Sequence, residues 1–137
     1  MLDVIDLKAK KNVRSIQVGE KPAGITIDKK NKIIFVSNPE SNNISKIDLN
    51  KNTHEFFFAG NSPMSLNYSY STKLLYVTNW YENKITVVNT LNNNIIKEIN
   101  VGKSPAGIFL AEDLKKLFVA NKDDNNVSVI DTDELKI

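Results

Sequence analysis

Short apolar runs alternate along the whole chain with clusters of Asn, Gly, Pro, Ser and Lys. Runs of about five residues bounded by turn-forming residues predict β-strands, and no stretch has the apolar spacing of an amphipathic helix. In the middle of the chain the predicted strands are residues 65–69, 74–78, 84–89 and 95–101. The third of these is apolar at Ile85, Val87 and Val88, which indicates a strand covered on both faces.

This strand pattern is an internal repeat. Four columns of matching residues recur at intervals of 41 and then 42 residues: Gly19, Gly60 and Gly102; Pro22, Pro63 and Pro105; Asn38, Asn79 and Asn121; Asp48, Asn89 and Asp131. Units of about 40–45 residues with four short strands each are typical of β-propeller blades. We interpret the columns as structural. Gly frees the backbone where one blade crosses to the next, Pro stiffens that crossover, Asn ends a strand, and Asp accepts hydrogen bonds from the following turn.

The repeat predicts an all-β fold made of blades of four antiparallel strands. It divides the single propeller region 1–137 into a half blade (1–18), two blades (19–60 and 61–102) and an incomplete blade (103–137), with thirteen strands in all. Because known propellers close with roughly four to eight blades, this number is too small for a ring. Two explanations stay open: the chain is a piece of a longer propeller, or several chains associate to complete one.

Three segments carry a family resemblance. Residues 76–79 (Tyr-Val-Thr-Asn), 129–132 (Val-Ile-Asp-Thr) and 101–107 (Val-Gly-Lys-Ser-Pro-Ala-Gly) closely resemble the YVTN β-propeller repeat, and the resemblance extends over essentially the whole chain. It implies a bacterial or archaeal protein, usually seven-bladed, in the periplasm or at the cell surface, that works as a binding or scaffold module. Related propellers include sugar-lactone hydrolases and haem-bearing domains of nitrite reductases, so the fold alone does not fix the function.

Composition excludes several classes of function. The net charge is +2 with both signs interspersed, whereas a nucleic-acid surface concentrates basic residues. The chain has no cysteine, which excludes disulfides, thiolate metal sites and cysteine nucleophiles. No apolar run approaches the roughly 18–20 residues of a membrane span. The N-terminus lacks the basic and apolar regions of a signal peptide, so the compartment stays open.

The candidate binding residues lie in loops that we expect to share one rim of the propeller: Trp80, Tyr81, Glu82, Glu40, Asp123 and Asp124. Adjacent aromatics in a loop are typical of binding hot spots, and a sugar ring or peptide could stack on Trp80. The alternative is that Trp80 and Tyr81 fold over the neighbouring blade and cover apolar surface. The four acidic residues suggest a Ca²⁺ site or a cation-friendly mouth, but no D-x-D-x-D-G loop occurs, which favours ordinary turn carboxylates.

Signals for catalysis are absent from the sequence. His54 is the single histidine, in the outermost strand of its blade at a position that we expect to be half-buried, and it cannot form a metal site alone. There is no phosphate-binding glycine loop and no nucleophile elbow. We therefore expect no catalytic residues, no metal and no cofactor.

Two functions are open on this sequence. The first is a non-catalytic binding or scaffold module for a protein, peptide or glycan, with possible self-association to complete a ring. The second is a fragment of a propeller hydrolase of the lactonase type. The residues predicted on the inner strands are mixed in character, which favours binding or plain packing: Thr26, Asp28, Asn67, Tyr68 and Phe109.

Overall fold

The computed structural model describes all of residues 1–137 and contains thirteen β-strands and one short 3₁₀ helix. The strands are β1 (Leu2–Asp6), β2 (Lys11–Ile16), β3 (Ile25–Asp28), β4 (Ile33–Asn38), β5 (Asn43–Asp48), β6 (Thr53–Phe57), β7 (Pro63–Tyr68), β8 (Leu74–Asn79), β9 (Lys84–Asn89), β10 (Asn94–Asn100), β11 (Pro105–Ala111), β12 (Lys116–Asn121) and β13 (Asn126–Asp131). The 3₁₀ helix (Lys122–Asp124) lies between the last two strands. No helix has the length and apolar character needed to cross a membrane.

The strands form four antiparallel sheets in chain order. We call β1–β2 the N-terminal hairpin, β3–β6 blade 1, β7–β10 blade 2 and β11–β13 blade 3. In blades 1 and 2 each strand pairs with the next along the chain, which is the meander of a propeller blade. The predicted all-β propeller fold is therefore confirmed, and the strands predicted for the middle blade differ from β7–β10 by at most two residues at their ends.

The core lies between the sheets rather than inside any one of them. We call the face that a blade turns toward the next blade its A face, and the face toward the preceding blade its B face. On the A face of blade 1, Phe35 and Ile44 pack against Leu66, Leu75, Val77 and Val88 of blade 2. On the A face of blade 2, Tyr76, Ile85 and Val87 pack against Leu117, Val119 and Ile130 of blade 3. The hairpin covers Ile34, Val36 and Ile47 on the B face of blade 1 with Leu2 and Ile16.

Each blade begins with its innermost strand. Strand β7 lies between β3 and β11, so the three first strands stand side by side around the axis. This arrangement brings the crossovers between blades, and the loops that join second to third strands, to one end of the sheets. The loops that join first to second strands, and third to fourth strands, lie at the other end.

The turns between strands use left-handed backbone at regular positions. Thirteen residues other than glycine adopt a left-handed backbone, and they recur in fixed columns such as Asn42, Asn83 and Asn125. Asn tolerates this conformation better than other residues with a side chain. The Asp column works as predicted, because Asp48 Oδ1 accepts hydrogen bonds from the backbone N–H groups of Asn50 and Lys51, both at 2.9 Å.

Gly60 shows why the glycine column is required. Its φ is +107°, and a Cβ atom at this position would lie 2.4 Å from the side chain of Asn79. Asn79 is fully buried at the end of β8, where its Nδ2 donates to Thr86 Oγ1 at 2.6 Å. The two repeat columns are therefore one structural unit, in which a bare backbone leaves room for a buried amide.

Candidate binding rim

The loops that carry the candidate residues lie together at one rim, as the sequence predicts. The backbone N–H of Trp80 donates to Ser62 O at 3.1 Å, and that of Lys122 donates to Ser104 O at 3.2 Å. Each of these bonds joins the loop between the second and third strands of a blade to the crossover that enters the same blade. The crossovers and loops therefore form a continuous surface over blades 1, 2 and 3.

Two of the acidic candidates accept hydrogen bonds from the backbone of the adjoining crossovers. Glu82 Oε2 accepts from the backbone N–H of Asn61 at 2.7 Å, and Asp124 Oδ2 accepts from that of Lys103 at 2.8 Å. Ser41 stands in the same repeat column and accepts from the N–H of Glu20 at 2.7 Å. An oxygen acceptor is thus needed at this column in every blade, and a carboxylate or a hydroxyl satisfies it.

Glu82 is held ionised by its partners. Its partial burial would raise its pKa, but the hydrogen bonds from Asn61 and Lys84 outweigh that effect, and the pKa lies below its ordinary value. The Lys84 ammonium lies 3.2 Å from Glu82 Oε1 and 2.8 Å from Glu98 Oε1. The hydrogen bond with Glu98 raises the pKa of Lys84 most, and that with Glu82 adds to it. Glu82 is therefore part of a three-residue charge network.

The other two acidic candidates also have partners inside the protein. Asp123 Oδ2 accepts from Ser104 Oγ at 2.5 Å, and Glu40 Oε2 lies 3.2 Å from the Lys21 ammonium in an exposed ion pair. No group of three or more His, Asp or Glu residues lies close enough together to hold a metal ion. Three of the four acidic rim residues, Glu82, Asp123 and Asp124, are therefore turn carboxylates that also hold their own loops, whereas Glu40 makes only an exposed ion pair.

Sequence reasoning missed a pair of residues that joins neighbouring blades at this rim. Asn42 Oδ1 accepts from the N–H of Ser62 at 2.7 Å, and Asn83 Oδ1 accepts from the N–H of Ser104 at 3.0 Å. Each amide therefore reaches from one blade to the crossover that enters the next. The signal for it was the recurrence of Asn at a 41-residue interval, which the repeat columns did not include.

A groove lies on the rim between blades 1 and 2. We call it the rim groove, and it consists of two adjoining hollows of about 410 and 340 Å³. It is lined by Pro39, Glu40, Asn42, Asn61, Ser62, Met64, Trp80 and Tyr81. Trp80 and Tyr81 supply the aromatic wall, while amide, hydroxyl and carboxylate groups supply the rest. The groove is open to solvent and mixes aromatic rings with hydrogen-bonding groups.

The two aromatics of this wall differ in their surroundings. Trp80 is half-buried and leans toward blade 3, where the Lys122 ammonium stands 5.2 Å from its ring centroid. Tyr81 is 79% exposed. The contact of Trp80 with blade 3 is thus with an ammonium group, and Trp80 also lines the groove, whereas Tyr81 is mostly open to solvent.

The remaining residues that the sequence singled out lie away from the groove. His54 lies on β6 and is exposed rather than half-buried, with its ring centroid 4.4 Å from that of Phe56. Among the inner-strand residues, Tyr68 Oη donates to Asp28 Oδ2 at 2.9 Å, and Asn67 Oδ1 accepts from the N–H of Leu110 at 2.8 Å. These polar side chains join neighbouring blades to one another.

Comparison with known proteins agrees with this architecture. A family model described as YNCE-like beta-propeller matches residues 26–116. No curated protein sequence matches the chain significantly. The match supports the propeller part of the predicted resemblance, whereas the more specific YVTN label stays a prediction.

Several solved structures share the fold. Hydrazine synthase of Kuenenia stuttgartiensis aligns with a TM-score of 0.78 and 25% identity, over 90% of this chain and 37% of that one. A functionally unknown protein of Desulfotomaculum acetoxidans aligns with a TM-score of 0.78 and 17% identity, over 93% and 43%. A protein of unknown function from Bacteroides caccae aligns with a TM-score of 0.64 and 16% identity, over 82% and 46%. The chain thus spans less than half the length of each of these proteins.

Proposed function

The chain belongs to the YNCE-like beta-propeller family, and from that premise we propose that it is a non-catalytic binding module whose rim groove holds a neutral oligosaccharide. The observation that carries the proposal is the pair Trp80 and Tyr81 on the wall of a groove otherwise lined largely by polar groups. Aromatic rings take up the apolar faces of a sugar ring, and nearby amides and carboxylates bond its hydroxyl groups.

The charge of the rim supports a neutral ligand. Glu40 is paired with Lys21, and Glu82 is paired with Lys84. The groove therefore offers no unpaired charge that would select a strongly charged ligand. The amide and hydroxyl groups that line the groove, such as those of Asn61 and Ser62, are neutral donors and acceptors.

The absence of catalysis is part of the proposal. General acid–base chemistry needs a group with a pKa tuned toward the working pH and directed at the substrate. The partners of Glu82 instead lower its pKa and direct its oxygen atoms at the chain's own donors. The name of the hydrazine synthase does not extend to this chain, which covers 37% of that protein.

The natural fluorescence of the chain tests the proposal, because Trp80 is its single tryptophan. We expect titration with soluble glucan, mannan and chitin fragments to shift Trp80 emission saturably for at least one series. Tyr81→Ala should weaken that binding at least tenfold without lowering the melting temperature, since Tyr81 is exposed. Tyr70→Ala serves as the control, because Tyr70 is an exposed aromatic outside the groove.

Two outcomes would contradict the proposal. One is the failure of all neutral oligosaccharides to change Trp80 emission while a panel of proline-rich peptides does so, which would identify a peptide groove. The other is equal loss of binding in Tyr81→Ala and Tyr70→Ala, which would locate the ligand outside the rim groove.

A further inference from the structure

The fold separates charges that alternate along the sequence. Opposite the rim lie the loops that join first to second strands and third to fourth strands. In the hairpin and in blades 1 and 2 these loops contain no acidic residue and seven lysines, and we call this surface the basic end: Lys8, Lys10, Lys29, Lys30, Lys32, Lys51 and Lys73. The loops of the rim have three lysines and a larger number of carboxylates: Glu20, Glu40, Glu82, Asp123 and Asp124.

Most lysines of the basic end have no carboxylate partner. Lys51 lies 3.9 Å from Asp48, and none of the other six lies within ion-pair distance of a carboxylate. The lysines at the same end of blade 3 are all paired with acidic residues: Lys115, Lys116 and Lys136. Asp6, Asp28 and Asp48, which end the adjoining strands, accept hydrogen bonds from the backbone of the turns that follow them. The basic end is therefore a surface of largely uncompensated positive charge.

Hydrogen bonds hold the loops of the basic end in place. In blade 2 the backbone N–H and the hydroxyl of Thr90 both donate to Lys73 O, at 3.1 and 2.9 Å. In blade 1 Asn50 Nδ2 donates to Asn31 O at 3.0 Å. The Lys46 ammonium of blade 1 donates to Thr90 O of blade 2 at 2.9 Å, which joins the two blades at this end. The backbone that carries the lysines is therefore ordered before a partner binds, which lowers the entropic cost of binding.

Exposed apolar side chains stand among the lysines. Leu91, in the turn between β9 and β10, is 78% exposed. The other members of its repeat column are polar or charged: Lys8, Asn50 and Asp133. Tyr70 is also exposed, and the ammonium groups of Lys30 and Lys73 stand 5.7 and 3.9 Å from its ring centroid. Lysine, tyrosine and leucine together suit a lipid surface, where lysines meet anionic headgroups, tyrosine lies at headgroup level and leucine reaches the acyl boundary.

We propose that the basic end docks on an anionic lipid bilayer, with Leu91 entering the interface and the rim groove facing away from the lipid. Lysines are attracted to anionic headgroups without a need for specific geometry. A soluble polyanion offers the same charge, but it has no apolar layer to receive Leu91. The same end of blade 3 limits the contact to the hairpin and blades 1 and 2, because its loops are acidic: Glu112, Asp113, Asp133 and Glu134. The six residues of β8 separate the two ends by about 20 Å, so the groove stays open in the docked protein.

Co-sedimentation with vesicles gives the first test. We expect the chain to bind vesicles of equal parts phosphatidylcholine and phosphatidylglycerol at low salt, and to be released by high salt, which screens the attraction. Vesicles of phosphatidylcholine alone should bind it about tenfold more weakly or less. The absence of binding to the anionic vesicles at low salt would overturn the proposal.

Charge reversal locates the contact. Lys29→Glu combined with Lys30→Glu should weaken binding to the anionic vesicles at least tenfold, because each lysine near such a surface strengthens binding about fivefold. Lys97→Glu combined with Lys103→Glu is the control, because it changes the net charge equally at exposed positions outside the basic end. The control should retain most of the binding. Equal losses in the two double variants would show that net charge alone attracts the chain, which contradicts docking through the basic end.

Leu91→Asn separates a bilayer from a soluble polyanion. The variant introduces the residue that blade 1 has in this column, so its melting temperature should not change. Its binding to the anionic vesicles should weaken about tenfold through the lost burial of the side chain, while its retention on immobilised heparin should be unaffected. Leu114→Asn is the control, because Leu114 is exposed in an acidic loop of blade 3. Unchanged vesicle binding by Leu91→Asn would overturn the proposal and identify a surface for soluble polyanions.

Trp80 reports the orientation of the docked protein. Because Trp80 lies at the rim, phospholipids with brominated acyl chains should leave the emission of vesicle-bound protein unchanged. Quenching by these lipids would place the rim on the bilayer and contradict the proposed orientation. Failure of the vesicle tests leaves the oligosaccharide proposal standing, because the rim groove lies at the opposite end of the blades and is tested without lipid.

Discussion

The hydroxyl of Tyr68 donates a hydrogen bond to the carboxylate of Asp28 across the seam between blades 1 and 2, with the oxygen atoms 2.9 Å apart. Asp28 is buried, and it also accepts from the backbone and the side chain of Asn31. One carboxylate therefore satisfies the turn that follows β3 and joins β3 to β7 of the next blade. Burial alone would raise the pKa of Asp28, but these hydrogen bonds outweigh it and the pKa is lowered.

A lowered pKa in the folded state makes this seam sensitive to acid. The stabilisation that Asp28 contributes is fully present above its unfolded-state pKa of about 3.8. It is lost as the pH falls through the lower pKa of the folded state. We expect Asp28→Asn to lower the melting temperature near neutral pH, and the difference from the unsubstituted chain to shrink below pH 3.8. Thermal melts from pH 7 to pH 2 measure this. Asp113→Asn, in an exposed turn, is the control, and an equal pH dependence in both variants would exclude Asp28 as the cause.

The hydroxyl can be removed separately. Tyr68→Phe keeps the ring that stacks on Phe35 and removes only the donor to Asp28. We expect a loss of about 1 kcal/mol in the free energy of unfolding, the usual net value of one such bond. Urea unfolding at pH 7 measures it. Equal free energies of unfolding for Tyr68→Phe and the unsubstituted chain would contradict this, because they would show that hydrogen bonds to water compensate fully for the lost bond.

Two glycines, Gly60 in the repeat column and Gly107 outside it, give a matched pair of substitutions. In Gly60→Ala the new Cβ would lie 2.4 Å from Asn79 and the backbone would keep φ near +107°. The backbone conformation alone costs a residue with a side chain about 1–3 kcal/mol, and the clash adds to it. In Gly107→Ala the nearest atom is Ala120 Cβ at 3.8 Å, an ordinary contact. Chemical unfolding should show a large loss for the first variant and almost none for the second, and equal losses would contradict the role assigned to Asn79.

The strands were predictable from the sequence because their signal is local. Apolar runs such as residues 74–78 are bounded by their own turn residues, and the repeat gives three readings of each boundary. The partners of Glu82 and Asp28 were not predictable in this way. Asn61 lies 21 residues before Glu82, and Tyr68 lies 40 residues after Asp28. A carboxylate in a turn has the same sequence signal whether it faces solvent or a neighbouring backbone N–H group.

For the aromatic candidates at the rim, too, the sequence predicted the residues but not their contacts with neighbouring blades. The pattern of the chain identified Trp80 and Tyr81 as unusual, and both line the rim groove. The sequence did not show that Lys122, which a different blade supplies, stands over the ring of Trp80. The repeat columns locate each loop, but they do not determine which side chains from neighbouring blades touch.

Two asparagines with the same backbone conformation separate the role of the amide from that of the turn. Asn83 and Asn125 have φ values of 52° and 53°. Asn83 Oδ1 accepts from the N–H of Ser104 in the next blade, whereas no hydrogen bond involves the side chain of Asn125. Asn125→Gly should therefore be neutral or stabilising, since glycine adopts this conformation freely. Asn83→Gly should cost about 1 kcal/mol through the lost bond. Urea melts compare the two, and identical shifts would mean that the link between blades adds no stability.

The contact between Lys122 and Trp80 connects blade 3 to the rim groove and can be followed through one fluorophore. The ammonium stands 5.2 Å from the ring centroid, and such contacts at accessible sites contribute about 0.5–1 kcal/mol. Lys122→Ala removes both the charge and the methylene stem near the ring, so acrylamide should quench Trp80 more strongly while the melting temperature falls only slightly. Lys103→Ala, at the same rim, should leave quenching unchanged. If both variants were quenched alike, Lys122 would not cover the ring in solution. If only Lys122→Ala increased the quenching, a residue of blade 3 would control how much of Trp80 a ligand in the groove can reach.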